Sequence, residues 1–69
     1  MKLLYRVVRP FQANAAISSR ERQFVPNETC FVDSGQTGAT LLIDADAFLF
    51  YVDRATFQSC CVFQGEASV

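Results

Sequence analysis

Asp44 and Asp46 are the closest pair of carboxylates in this 69-residue chain, and an Asp-x-Asp pair is able to hold a hard cation. A calcium loop needs further oxygens at set offsets, a glycine and a late bidentate Glu. Residues 47–52 (AFLFYV) offer none of these. Asp also favours turns, so the pair reads as turn residues. The three cysteines, Cys30, Cys60 and Cys61, show no C-x-x-C spacing, and the chain has no histidine. Zinc would have to recruit carboxylates beside thiolates, an uncommon set, and a nucleophilic thiol would lack its usual base. The thiols therefore read as small buried hydrophobes. In a strand, neighbours Cys60 and Cys61 point to opposite faces, so at most one of them faces Cys30; the spacing leaves open which. A Cys30 disulfide requires an oxidising compartment.

Ser18, Ser19, Ser34 and Ser59 have no nucleophile-elbow or triad context. Gly35 and Gly38 bracket two residues, too few for a phosphate cradle, which also needs a nearby Lys. No catalytic residue, metal ligand or cofactor is assigned, and the expectation is a non-enzyme.

Charge is the next chemical resource. The net charge of −1 hides a division: residues 1–27 carry five cations against Glu21, while residues 28–69 carry Arg54 against six acids. Arg6, Arg9, Arg20 and Arg22 are candidate contacts for a partner protein or nucleic acid, with Tyr5 or Phe11 available to stack on bases. A pI near 5.0 weighs against nucleic acid, whose domains are commonly basic. Nucleic-acid binding is the alternative reading.

The run Ala39–Val52 (ATLLIDADAFLFYV) is apolar at consecutive rather than alternate positions. A strand with one wet face should alternate. Phe48, Phe50 and Val52 point one way; Leu49 and Tyr51 point the other, as does Phe31 relative to Cys30 and Val32. So short a chain covers one face with its own core. Phe31, Leu49 and Tyr51 are therefore the candidate interface, and a second copy of the chain is the simplest occupant. Tyr51 suits an anchor because it joins an aromatic body to a polar tip.

Five short strands should position these residues in a single domain over 1–69. Residues 2–9 form the first, closed by Pro10. Residues 12–27 form a long surface loop with Arg20 and Arg22 near its tip, ended by a Val25-Pro26-Asn27-Glu28 turn. Strands follow at 29–33, 39–43 and 47–52, with turns at 33–38 and 44–46. Asp53 caps one helical turn, Phe57 plugs back into the core, Cys60–Phe63 make the last strand, and 65–69 fray.

This layout, with a long loop after the first strand and a helical turn before the last, resembles the SH3-like barrel. The resemblance lies in layout alone, and peptide-binding residues are not carried over with it. The expected fold is all-β: a small five-stranded SH3-like barrel or a strongly bent antiparallel sheet. MKLLYRVVRPF starts like a signal peptide, but Arg6 and Arg9 break the apolar segment. No stretch is long enough to span a membrane as a helix. The expectation is a cytoplasmic homo-oligomer without membrane contact. A chain this short with no chemical motif is typical of accessory proteins of phages or mobile elements, an association of size rather than a physical argument.

Overall fold

The computed structural model describes residues 1–18 and 20–67. Its strands are β1 (Lys2–Val7), β2 (Phe11–Ala15), β3 (Glu21–Phe24), β4 (Thr29–Asp33), β5 (Thr40–Ala45), β6 (Phe48–Asp53) and β7 (Cys61–Ala67); one helix, α1 (Arg54–Cys60), precedes β7. They form a single antiparallel sheet in the order β3-β2-β6-β5-β4-β1-β7, open at β3 and β7. The all-β expectation holds. The five-stranded barrel does not: seven strands are present and the sheet is not closed.

The extra strands come from the segment expected to loop. Phe11–Ala15 and Glu21–Phe24 pair as a hairpin, with Phe11 opposite Phe24 and Ala13 opposite Arg22. In FQANA the inward positions after Phe11 are alanines, whose small side chains hide a period-two pattern. The helical turn is also longer than expected, a seven-residue helix capped by Asp53, which accepts from the Thr56 amide at 3.2 Å. It takes in Cys60, so the last strand starts at Cys61 rather than Cys60 and runs to Ala67 through residues expected to fray; 68 and 69 of that expected tail lie outside the described residues. The β5–β6 turn falls at Asp46-Ala47, later than the expected 44–46, with φ of 52° and 68°. These values match a two-residue type I′ turn, whose twist suits a hairpin. Val25-Pro26-Asn27-Glu28 turns as its residues predict: Asn27 has φ 79°, and the Glu28 amide donates to the Val25 carbonyl at 3.2 Å.

Three residues, Val8–Pro10, join β1 to β2, although four strand spacings separate those strands in the sheet order. Flat, the gap would be roughly 19 Å, whereas the four steps from Val7 to Phe11 reach at most about 14 Å. The sheet must curl, and it does so around α1, which touches β2, β5, β6 and β7. Phe57 is 2% exposed and fills the concave face. Its ring stands edge-on to Tyr5 at 5.0 Å and to Phe11 at 6.1 Å. Phe11 stacks on Phe24 at 5.0 Å, and Val7, Cys30, Val32, Leu41, Ile43, Phe50 and Val52 complete the core. One face of the sheet is thereby consumed.

Candidate interaction surface

The register of the strands sets the composition of the convex face. Across it, Leu4 on β1 lies opposite Phe31 on β4, Phe31 opposite Asp44 on β5, and Asp44 opposite Leu49 on β6. Beside this row, Leu42 pairs with Tyr51, which in turn pairs with Asn14 on β2. Phe31, Leu49 and Tyr51 are therefore brought together on one side of the sheet, 38%, 42% and 47% exposed. Cross-strand and diagonal neighbours on one face are within side-chain reach, so these residues make one patch. β2 and β3 do not cover it, because they extend the sheet rather than lie over it.

An ion cluster sits within the patch. Lys2 Nζ lies 3.1 Å from Asp44 Oδ2 and 3.4 Å from Asp33 Oδ1. The Asp44 hydrogen bond holds the Lys2 ammonium above its ordinary range against a smaller opposing effect of desolvation, and Asp33 adds to the rise.

The four arginines do not share a surface. Arg6 is on the convex face, between Thr29 and Val62. Arg9 is exposed in the β1–β2 link, and Arg20 is exposed just before β3. Arg22 turns inward: its guanidinium stacks 4.4 Å above the Phe24 ring and makes 2.8 Å ion pairs with Glu28 and Asp46. The inward-facing side of β3 holds it there, with Phe24 two residues on.

No described protein family, curated protein or solved structure matches this chain.

At the end of the sheet that carries Arg20 and Arg22, the candidate partner contacts of the β2–β3 segment, the residue pattern gave no sign of an apolar lining. Ala15, Ile17, Phe48 and Phe50, with Arg20 and Arg22 beside them, line an open groove of about 510 Å³ where the β2–β3 and β5–β6 hairpin ends meet. Ile17 is 85% exposed and Phe48 56%. Phe48 shares a face with buried Phe50 and Val52, and only its place beside the turn leaves it open. The apolar run alone gives no sign of that boundary. Among the described residues, no three His, Cys, Asp or Glu side chains are grouped to hold a metal ion. No helix among the described residues is long and apolar enough to cross a membrane.

Proposed function

We propose that this protein is a non-enzymatic binding protein that self-associates through the convex face of its sheet and meets a partner protein at the β2–β3 end. The reading rests on the uncovered Phe31–Leu49–Tyr51 patch. A contiguous apolar patch of aromatic and branched side chains usually marks an interface. The same face supports a second copy as occupant, because an identical chain carries the same patch and a two-fold axis sets one patch against the other. Arg20 and Ile17 make the β2–β3 end the second contact surface. Arg22 is engaged by Glu28 and Asp46, which leaves fewer free cations for nucleic acid.

The deciding experiment is solution mass by light scattering over a wide dilution range, with reductant, for the parent chain and for Tyr51→Glu. The expected result is a dimer or larger species that the substitution dissociates, with an unchanged far-ultraviolet dichroism spectrum. A parent chain monomeric at every concentration overturns self-association.

A further inference from the structure

Beyond the core, the concave face runs out into the open groove at the hairpin ends, and the strand register gives that groove its walls. Ala15 pairs with Phe50 on β6, and the Ala16 amide donates to the Leu49 carbonyl at 2.9 Å, which carries this pairing toward the β5–β6 turn. On the other flank Ala13 pairs with Arg22, and the Ala15 amide donates to the Arg20 carbonyl at 2.9 Å. Residues two apart along a strand share a face. Arg20 therefore looks the same way as the inward Arg22, and Phe48 the same way as Phe50. The small side chain of Ala15 is the floor, Phe48 and Phe50 are one wall, and the two arginines are the other.

The two arginines are not equally satisfied. Arg22 is held by Glu28 and Asp46, whereas Arg20 has no ion pair among the described residues. Glu21, opposite Asn14, belongs to the other face of the hairpin. Arg20 is thus a cation without a counter-ion beside exposed Ile17 and Phe48. The backbone adds a second demand. β3 is an edge strand, and its row of groups turned away from β2 has no backbone partner among the described residues. Arg20, Glu21 and Arg22 line the groove in succession, so it runs along that row. An open row of N–H and C=O groups is matched by an extended chain.

Resting on the partner contact at the β2–β3 end, we infer that the partner presents an extended segment laid along β3, with an apolar side chain against Ile17 and Phe48 and a neighbouring carboxylate against Arg20. Main-chain bonds hold such a segment and the groove selects its side chains. The apolar contact supplies most of the affinity, as buried anchors do at interfaces. The exposed Arg20 adds selectivity and a salt-sensitive attraction. A second copy is the poorer occupant. Antiparallel self-pairing centred on the groove end of β3 opposes Glu21 to Glu21 or Arg22 to Arg22, and like charges directly opposite are destabilising.

The test is selection of a random-sequence peptide library, displayed on yeast, against the purified chain, followed by titration of the enriched peptides with the parent and three variants. The expected consensus is an aromatic or branched apolar residue with Asp or Glu next to it or next but one. Ile17→Asp and Phe48→Asp should weaken binding by roughly tenfold or more. Arg20→Ala should weaken it roughly two- to fivefold at low salt and remove its salt dependence. Dichroism checks that each variant is folded; if Phe48→Asp is not, Ile17→Asp decides. Peptides that need Ile17 but carry a basic residue or no charge, or that ignore Arg20→Ala, overturn the inference and leave the partner contact standing. No enrichment, or peptides indifferent to all three variants, overturns both. Loss of self-association in a folded Ile17→Asp chain, read by light scattering, would seat a second copy in the groove and likewise overturns the inference.

Discussion

The ring of Phe57 on α1 meets the ring of Phe11 on β2 edge-on, with centroids 6.1 Å apart, and the same ring stands edge-on to Tyr5 on β1. Strands four places apart in the sheet are thus joined through one side chain. Phe57→Ala leaves a ring-sized void there and should cost about 3–5 kcal/mol, a large part of the stability of so small a domain. Phe57→Leu should retain most of it. Urea unfolding followed by dichroism measures both; equal midpoints for the two variants would exclude the ring as the plug of the curled sheet.

Gln36 extends the sheet where backbone pairing stops. Its amide donates to the Leu42 carbonyl and accepts from the Leu42 amide, both at 2.8 Å, as a neighbouring strand would. Gln36→Ala removes both bonds and should cost about 1–2 kcal/mol. The Leu42 amide should also exchange with deuterium faster than in the parent, while amides at the β6 side of β5 stay protected.

Ala47 has φ 68°, a left-handed conformation unfavourable for a residue with a Cβ. Asp-Gly is the preferred pair for a type I′ turn. Ala47→Gly should therefore stabilise the chain by roughly 1 kcal/mol, offset in part by the added freedom of the unfolded state. Asp46 is left in place because of its ion pair with Arg22. A lower urea midpoint for the glycine variant would contradict the strain argument.

The consecutive apolar residues of β5 and β6 disclosed a two-sided strand pair because alternation constrains every side chain of a strand. Phe31, Leu49 and Tyr51 could be placed on one face for that reason. The Val-Pro-Asn-Glu turn and the Asp53 cap were equally legible, each depending on a few neighbouring residues. Phe11–Ala15 was not. Its inward alanines carry little hydrophobic signal, and it is held as a strand by Phe24 and by β6, tens of residues away. Barrel against open curled sheet was beyond local reading for a similar reason, since it turns on whether β3 and β7 meet. The inward turn of Arg22 likewise depends on Asp46 and Phe50, which reach it only after folding.

Lys2 supplies the clearest pH dependence. Asp44 and Asp33 raise its folded-state pKa above the ordinary value of 10.5. The folded chain therefore binds this proton more tightly than the unfolded chain does. The resulting stability is fully present below the ordinary lysine value and is lost as pH rises through the raised one. Lys2→Met should flatten that alkaline part of the stability curve and leave the profile near neutrality parallel to the parent's. Urea midpoints measured from neutral to strongly alkaline pH make the comparison.

Arg20 and Arg22 stand two residues apart but have different roles. Arg22 stacks over Phe24 and divides its guanidinium between Glu28 and Asp46. A lysine keeps the charge but loses the planar fork and the stack. Arg22→Lys should cost about 1–2 kcal/mol, the stack contributing about half to 1 and the ion pairs, being partly solvent-screened, a similar amount. Much of the loss should persist in high salt, since stacking and hydrogen bonding survive screening. Arg20 is exposed, and Arg20→Ala should shift stability by less than about 0.5 kcal/mol. Equal losses for the two variants, or a loss at Arg22 abolished by salt, would show that Arg22 is only another surface charge. An unequal, salt-resistant pair of losses fixes Arg22 as part of the fold and leaves Arg20 as the arginine of that hairpin available to a partner.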